Sequence, residues 1–320
     1  MKKFDVLIVG NYNVGNFGDD LLLRSCFENL KGKSVKVLSP LNSDFLTFPA
    51  GFRSILNARR FFDPIKAVYR SNNILFGGGG LFNSDNFYSF FIWMPILLIA
   101  LILRRKVYLF GHSFSSKPGW FFSVLLKRVK YITVRDSASY DYLISAGIQN
   151  IQLTKDLALE LEFPEVRFSS PKFLLINYRE YKNVNLKLIK QIDSLLSLKA
   201  KELGLKKLYC AFDSKLDAQV FKELNQDYIL ASDLNKYIPN IKYFAWMRLH
   251  ACLYMLKHRI TGIAFSYASK VKGLLKSYSF ENVIDLQSKS KSNLNFNNLN
   301  FEYKVPKFSE ISNNPWEIID

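Results

Sequence analysis

The sequence has few cysteines and few histidines, three of each among 320 residues. Cys26, Cys210 and Cys252 lie far apart inside apolar segments. This spacing argues against a disulfide framework and predicts small buried side chains in a reducing compartment. No group of residues has the spacing of a metal site, so we expect no bound metal. The scarcity of histidine also leaves few side chains that titrate near neutral pH.

The sequence also lacks an apolar segment long enough to span a membrane. Its most apolar stretch, Phe87 to Leu103, falls short of the roughly 20 residues that a spanning helix needs, and it contains Pro95. We predict a helix that is buried or interfacial, with a basic flank at Arg104 to Lys106 that could meet lipid at one end. The start, Met1 to Lys3, leads directly into a strand and has no signal-peptide pattern. The expected location is therefore the cytoplasm, or the inner face of the membrane if this helix is interfacial.

Negative charge is under-represented, with 27 Asp and Glu against 44 Lys and Arg, a net charge of +17. Such a balance favours polyanions, anionic membrane surfaces or acidic small substrates as partners. Nucleic acid is disfavoured because the sequence has neither a Cys/His finger spacing nor an aromatic and basic ribonucleoprotein motif. The charge does not choose among the other partner classes, so acidic small substrates and peripheral membrane contact both stay open.

The length and the apolar content, 49% of residues, predict two domains with substantial cores. Short apolar strands alternate with helices in both halves, which predicts an α/β fold of two doubly wound Rossmann-like domains facing each other across a cleft. A segment with two prolines, 162–171, is the predicted linker. The predicted domains are residues 1–161 and 172–286, followed by a loop rich in Ser, Asn and Lys and a tail at 287–320.

Polar loops follow several predicted strands, and in open α/β sheets ligands bind at the carboxyl ends of strands. After the strand Phe4 to Val9, a glycine-rich loop contains Asn16, Gly18 and Asp19 and precedes a helix predicted from Leu21. Free backbone N–H groups there would suit an anion. The loop is not a Walker loop, because Asn16 stands in the place of the lysine. We also expect at least one aspartate of this loop to act as a helix cap.

Three more strand ends in the first half carry candidate residues. The strand Ile74 to Phe76 is predicted to end in a run of four glycines, Gly77, Gly78, Gly79 and Gly80. Such a run suits close approach of a ligand or of another chain, with a plain flexible turn as the alternative. The strand Val107 to Phe110 is predicted to lead into a polar loop that contains His112. Arg135 follows a further strand, and Asp136 or Ser137 is the predicted cap of the next helix.

Two loops of the second half bring basic residues and a histidine together. The strand Ile241 to Trp246 and the helix Leu249 to Leu256 place Arg248 and His250 in the turn between them. The strand Ile260 to Phe265 is followed by Ser266, Tyr267, Lys270 and Lys272. This set suits a small dianion or trianion that also gains or loses a proton. The alternative is solvated basic residues at helix ends, with a histidine that only caps a turn.

Five motifs, in this order, resemble the polysaccharide pyruvyl transferase family, over a region from about Asp5 to Asp285. They are Gly10 to Asp20, the glycine run with Leu81, Thr133 to Asp136, Arg248 to Ala251, and Ser266 to Gly273. The resemblance implies a GT-B-like architecture of two domains. It also implies transfer of a pyruvyl group from phosphoenolpyruvate to a sugar of a cell-surface polysaccharide, or of its lipid-linked precursor, as a ketal.

The resemblance also implies site residues. Arg135, Arg248 and His250 match positions that the family uses for donor binding and catalysis. The further candidates for substrate binding are Asn16, Gly18, Asp19, Gly78, Gly79, Gly80, His112, Ser266, Tyr267, Lys270 and Lys272. Phosphoenolpyruvate is expected as the donor substrate and a saccharide as the acceptor, and no cofactor is expected.

The chemistry of the residues is compatible with this expectation. Phosphoenolpyruvate carries a carboxylate and a phosphate, for which arginine forks and a lysine are suitable partners. Ketal formation needs a proton on the enol carbon, and His250 is the preferred donor, with His112 as its competitor. Two alternatives stay open. One is a GT-B glycosyltransferase in which His250 and Lys270 neutralise a nucleotide-sugar diphosphate, and the other is a non-catalytic sugar- or membrane-binding module.

Overall fold

The computed structural model describes residues 3–39, 46–47, 58–82, 87–163, 169–182, 184–287, 299–301 and 314–319. The chain divides into two compact units. Unit 1 consists of Met1–Val14, Asp19–Leu161 and Glu310–Asp320, and unit 2 consists of Gly15–Gly18 and Glu162–Ser309. Half of the predicted linker, residues 164–168, and most of the predicted polar loop, residues 288–298, lie outside the described residues.

Unit 1 is built on a seven-stranded parallel sheet. Its strands are β1 (Phe4–Val9), β2 (Val35–Ser39), β3 (Leu46–Thr47), β4 (Ser71–Gly79), β5 (Lys106–His112), β6 (Tyr131–Val134) and β7 (Ile151–Leu153). Its helices are α1 (Phe17–Asn29, of which Phe17 and Gly18 belong to unit 2), α2 (Ala58–Tyr69), α3 (Phe87–Ile102), α4 (Trp120–Leu126) and α5 (Ser137–Ser145). The strand order β3-β2-β1-β4-β5-β6-β7 reverses direction between β1 and β4. The ends of these two strands therefore flank the switch point at which such sheets bind ligands.

Unit 2 is built on a six-stranded parallel sheet. Its strands are β8 (Phe173–Asn177), β9 (Lys206–Ala211), β10 (Tyr228–Leu230), β11 (Ile241–Trp246), β12 (Thr261–Ser266) and β13 (Val283–Asp285). Its helices are α6 (Leu186–Glu202), α7 (Leu216–Glu223), α8 (Leu249–Lys257) and α9 (Ser269–Ser277). The order β10-β9-β8-β11-β12-β13 reverses between β8 and β11, which is the switch point of this unit. The doubly wound class predicted from the sequence is confirmed.

Three residues of the glycine run, Gly77 to Gly79, belong to strand β4, so the predicted end of this strand at Phe76 was three residues too early. Gly77 and Gly79 pair with β5 as the last residues of β4. Gly78 and Gly79 have φ of +65° and +89°, which side chains rarely adopt. A Cβ at Gly77 would lie 2.4 Å from the hydroxyl of Tyr12, and one at Gly78 would lie 2.8 Å from Leu22 Cδ1. The glycines are required because Tyr12 and α1 pack directly on this backbone.

Helix α3 packs inside unit 1, which confirms the prediction for the most apolar segment. Trp93, Ile96, Leu97 and Ala100 are all at most 2% exposed and belong to the main apolar core of the unit. Within the described part of the chain, no helix is long and apolar enough to cross a membrane. Burial in this core explains the apolar character of these four residues.

The described end of the chain, residues 314–319, packs in unit 1. The indole ring of Trp316 stands edge-on to Phe110, with 5.1 Å between the ring centroids. Its Nε1 donates a hydrogen bond of 3.0 Å to Glu160 Oε2. Lys33 Nζ donates to the carbonyl of Ile319 at 2.8 Å. These contacts give the C-terminal segment a defined position and place Glu160 beneath it.

Glu160 is expected to make the stability of unit 1 fall as the pH rises. Burial raises the pKa of this carboxyl group to about 7, although hydrogen bonds from Trp316 and Ser25 partly oppose the shift. Because the folded state binds the proton more tightly than the unfolded chain, the contribution is fully present below about pH 4. It is lost as the pH rises through 7. We expect a loss on the order of 2 kcal/mol in the free energy of unfolding.

Urea unfolding at pH values from 5 to 8 is the measurement that checks this. Glu160→Gln keeps an acceptor but cannot ionise, so its stability should vary less with pH than that of the original protein. Glu162→Gln changes an exposed glutamate two residues away and serves as the matched control. Parallel pH curves for the original protein and Glu160→Gln would contradict the assignment.

Candidate functional site

At the switch point of unit 2, the ends of β8 and β11 are joined by a hydrogen bond. Asn177 is the last residue of β8, and Arg248 follows β11 as the N-cap of α8. The amide oxygen of Asn177 accepts a hydrogen bond of 3.3 Å from the backbone N–H of Arg248. Asn177 Nδ2 donates to the carbonyl of Cys210, at the end of β9, at 3.0 Å. The turn that carries Arg248 and His250 is thus hydrogen-bonded to the end of β8, which is itself hydrogen-bonded to β9.

Arg248 is buried in an ion pair at this point. Its Nε lies 2.8 Å from both carboxylate oxygens of Asp217, and its second guanidinium nitrogen lies 3.2 Å from Asp213. Burial alone would lower the pKa of Arg248, but Asp217 and Asp213 outweigh it and raise the pKa. Its charge is therefore retained and already neutralised by carboxylates. The predicted anion clamp stays a prediction, and the contacts show Arg248 as the residue that positions the turn.

The glycine-rich loop of the N-terminal half contributes its residues Gly15–Gly18 to unit 2. The backbone N–H of Phe17 donates to the carbonyl of Phe212 at 2.8 Å, and Asn16 forms a β-bridge with Asp213. Asn16 Oδ1 accepts from the N–H of Gly18 at 3.2 Å and so caps α1. Helix α1 begins at Phe17, four residues before the predicted start, because this asparagine supplies the cap.

His250 lies against this loop. A Cβ added to Gly18 would be 2.4 Å from Nδ1 of the His250 ring, a distance that real atoms do not adopt. Only glycine therefore lets the imidazole reach the first turn of α1. Two loops that are 232 positions apart, and that were both predicted as ligand loops, meet within unit 2. His250 is partly exposed, so a ligand can reach it.

An additional cation at the same sheet edge was missed from the sequence. Arg179 follows β8 and donates from a terminal guanidinium nitrogen to the hydroxyl of Tyr267 at 3.1 Å. Its guanidinium carbon lies 5.2 Å from the ring centroid of Tyr267 and 5.4 Å from that of Tyr181. Within the described ranges, no carboxylate pairs with Arg179, and its buried Nε has no hydrogen-bond partner. The strand-end rule that selected Arg248 would also have selected Arg179, two residues after a correctly predicted strand.

The other candidates of unit 2 have local partners. Lys272 Nζ lies 3.0 Å from Asp285 Oδ2 and joins α9 to the end of β13. Ser266 is buried and donates to the carbonyl of Ala268 at 2.8 Å. The side chain of Lys270 lies outside what the structure describes. Among the candidates of this loop, Tyr267 is the residue that contacts Arg179.

In unit 1, Arg135 has a role similar to that of Arg248. It is 8% exposed and lies 2.5 Å from Asp156, which has no exposed surface. Its Nε donates to the hydroxyl of Ser113 at 2.7 Å. Arg135 thus joins the ends of β5 and β6 to the Asp156 segment, and its donor-binding role stays a prediction. The predicted cap Asp136 is confirmed, because it accepts from the N–H of Ser139 at 2.8 Å.

His112 does not lie in a polar loop, and this prediction was wrong. Strand β5 continues through it, the side chain has no exposed surface, and its Nε2 lies 3.0 Å from the carbonyl oxygen of Phe76. Burial lowers the pKa of His112 to about 4, so the ring is neutral near pH 7. The rings of Phe82 and Phe114 are its neighbours. A neutral, enclosed imidazole is unsuited to proton transfer with a substrate.

The aspartates that follow Gly18 hold the loop of unit 1 together. Asp19 accepts a hydrogen bond of 3.2 Å from Asn11 Nδ2, and Asp20 accepts one of 2.7 Å from the N–H of Asn13. Both hydrogen bonds join the start of α1 to the loop that follows β1. A structural role is therefore visible for both carboxylates. Substrate binding by Asp19 stays a prediction.

Comparison with known proteins identifies a family and a fold. A family model described as polysaccharide pyruvyl transferase matches residues 16–267, which confirms the resemblance drawn from the motifs. Among curated proteins, no sequence matches the chain. The structure of UDP-GlcNAc 2-epimerase from Methanocaldococcus jannaschii has a TM-score of 0.55 at 10% identity, over 88% of each chain. A putative UDP-N-acetylglucosamine 2-epimerase from Listeria monocytogenes has a TM-score of 0.50 at 8% identity, over 84% of this chain and 80% of that chain. These likenesses concern the fold alone, and they bear out the predicted GT-B-like class.

Proposed function

Since this chain belongs to the polysaccharide pyruvyl transferase family, we propose that it transfers a pyruvyl group from phosphoenolpyruvate to a saccharide as a ketal. The acceptor is a sugar of a cell-surface polysaccharide or of its lipid-linked precursor. The observation that carries the proposal, besides the family, is the position of His250. This partly exposed imidazole lies against the backbone of Gly18 and beside the switch point of unit 2.

In the proposed reaction, His250 supplies the proton. The enol carbon of phosphoenolpyruvate takes a proton from the imidazolium, and the neighbouring carbon becomes electron-poor. One sugar hydroxyl attacks that carbon and a second closes the ketal as phosphate leaves. The two hydroxyl protons return to His250 and to solvent. A positioned histidine suits both directions of transfer near neutral pH.

We assign the anion-holding role in unit 2 to Arg179 and Tyr267. Arg248 is already neutralised by Asp217, whereas the described contacts of Arg179 are with the rings of Tyr181 and Tyr267 and with the Tyr267 hydroxyl. An arginine held in this way keeps free donors for a phosphate or a carboxylate. Arg248 then acts as a positioning residue, because it fastens the turn from which His250 projects. The proposed donor brings its own leaving group, so the reaction needs no cofactor.

The donor is tested by thermal denaturation with each ligand in turn, which requires no knowledge of the acceptor. Phosphoenolpyruvate at a hundred times its dissociation constant should stabilise the protein by about 2.7 kcal/mol, and a nucleotide sugar should not. Stabilisation by a nucleotide sugar alone would instead favour a glycosyltransferase, and stabilisation by neither would favour a non-catalytic module. Release of phosphate in the presence of saccharide acceptors is the second measurement.

Gly18→Ala is expected to lower turnover because it displaces His250. The new Cβ would meet His250 Nδ1 at 2.4 Å, so the imidazole must move. A displacement of this kind costs roughly 10- to 100-fold in kcat, while KM changes little because the donor contacts remain. The higher helix propensity of alanine is opposed by the overlap of the new Cβ with the Cβ of His250 at 2.8 Å, so initial rates are measured on protein whose fold is checked by circular dichroism.

Gly273→Ala is the matched control for this change. Gly273 also lies in a helix, and a Cβ there would meet nothing within 4 Å. Its turnover should remain that of the original protein. Full turnover in Gly18→Ala would show that the position of His250 is not critical.

A further inference from the structure

Helix α4 presents an unusual outer face. Trp120 is 81% exposed, Phe121 is 54% exposed and Val124 is 42% exposed. Exposed tryptophan is costly in water, and a contiguous apolar patch of this kind marks an interaction surface. The opposite face of the helix, which includes Phe122, Leu125 and Leu126, is buried in the core of unit 1.

Basic residues lie on both sides of this apolar patch. Lys117 precedes the helix, and Lys127 and Arg128 follow Val124 by one turn, all three exposed. With 3.6 residues per turn, positions 120, 124, 127 and 128 lie on one side of the helix. We call this surface the α4 face and define it by Trp120, Phe121, Val124, Lys127 and Arg128.

The surrounding sequence contains no opposing charge. Between Asp85 and Asp136 the chain has no Asp or Glu, but eight Lys and Arg residues. The cations of the α4 face are therefore not neutralised by carboxylates of this part of the chain. An aromatic centre with a cationic rim is complementary to the interface of an anionic bilayer, where indole and phenyl rings enter the headgroup layer and ammonium or guanidinium groups meet phosphates.

We infer that the α4 face docks unit 1 on an anionic phospholipid surface. The inference does not depend on the proposed donor, because it concerns a surface of unit 1 that carries none of the proposed catalytic residues. It also assigns the membrane contact to α4. The sequence allows such a contact for α3, but Trp93, Ile96, Leu97 and Ala100 of that helix lie in the core of unit 1. The partner is a membrane surface, because exposed aromatic side chains with neighbouring cations match the interface of an anionic bilayer.

The test is sedimentation of the full chain with vesicles. One set consists of phosphatidylcholine, and the other contains about a quarter phosphatidylglycerol, a typical anionic content. The original protein should bind the anionic vesicles only. Trp120→Ala/Phe121→Ala should lower the partition coefficient about tenfold or more, with an unchanged melting temperature because both side chains are exposed. Lys127→Gln/Arg128→Gln should lower it several-fold, and more strongly at low salt.

A charge-matched variant separates a local face from the general positive charge. Lys187→Gln/Lys190→Gln removes two exposed cations from α6 in unit 2 and should keep binding within about twofold of the original. Equal losses of vesicle binding in Lys127→Gln/Arg128→Gln and in Lys187→Gln/Lys190→Gln would overturn the inference. Full vesicle binding by Trp120→Ala/Phe121→Ala would also overturn it. The inference is also overturned if the protein does not bind vesicles but forms dimers that dissociate in Trp120→Ala/Phe121→Ala. A second copy of the chain would then be what covers the α4 face.

Tryptophan fluorescence gives an independent readout. The other three tryptophans, Trp93, Trp246 and Trp316, are 2%, 0% and 6% exposed. Emission that aqueous iodide can quench therefore comes mainly from Trp120. Anionic vesicles should protect this emission, and unchanged quenching with vesicles bound would place the contact elsewhere.

Discussion

His250→Ala is expected to lower turnover roughly 10²- to 10⁴-fold and to leave the fold intact. The range is the usual contribution of a positioned proton-transfer group. The side chain is partly exposed and packs on the backbone of Gly18, so its removal opens space at a surface and not inside a core. Phosphoenolpyruvate binding should change much less than kcat, because the proposed anion contacts come from Arg179 and Tyr267. Initial rates of phosphate release, with far-UV circular dichroism for the fold, measure the effect.

His112→Ala is the informative control, because it should show the opposite pattern. His112 is enclosed among aromatic rings, and its loss leaves a cavity and an unpaired Phe76 carbonyl. The protein should lose stability by about 2–5 kcal/mol, while the folded fraction keeps its turnover. If His112→Ala abolishes turnover in folded protein and His250→Ala does not, the proton-transfer role belongs to the other histidine.

Asp217→Asn is expected to destabilise unit 2 by about 3 kcal/mol, at the lower end of the range for a broken buried ion pair. Asp217 has no exposed surface and contacts the Arg248 guanidinium at 2.7–2.8 Å. The variant keeps one oxygen, which can accept from the N–H groups of Phe212 and Asp213. It replaces the other oxygen, which faces the Arg248 guanidinium, by an NH2 group and removes the charge. Asp213 remains 3.2 Å from Arg248 and offsets part of the loss. Urea unfolding measures the change.

The double variant Asp217→Asn/Arg248→Met separates charge from shape. It removes both partners, so most of the stability lost in Asp217→Asn should return. Its turnover should still be low, because the turn that carries His250 has lost the ion pair between Arg248 and Asp217. Glu202→Gln, which breaks an ion pair at the exposed end of α6, should cost only about 0–1 kcal/mol. Equal losses in Asp217→Asn and in the double variant would mean that Asp217 acts through its hydrogen bonds and not through its charge.

Several features of the site could be predicted because they depend on local pattern. The strand Ile241–Trp246 and the start of α8 at Leu249 agree with the prediction, since an apolar run followed by a helical period is visible in a short window. The same pattern places Arg248 and His250 at a strand end. The order of the motifs also sufficed to identify the family.

Predictions failed where a backbone or a side chain depended on distant neighbours. Two strands were predicted to end too early, at Phe76 and Phe110, because glycine and histidine have a low local preference for strands. In the fold, β4 and β5 pair with each other through Gly79 and His112, and burial between them outweighs that preference.

The sequence by itself determined the α/β class and the loops that carry the candidate residues, because hydrophobic period and turn residues act over a few positions. Only the tertiary structure decided which charges are neutralised. Asp217 reaches Arg248 across 31 positions because β9, β8 and β11 are neighbours in the sheet, and Tyr267 reaches Arg179 across 88 positions for the same reason. Strand order determines which strand ends meet, and an ion pair forms only between groups that meet.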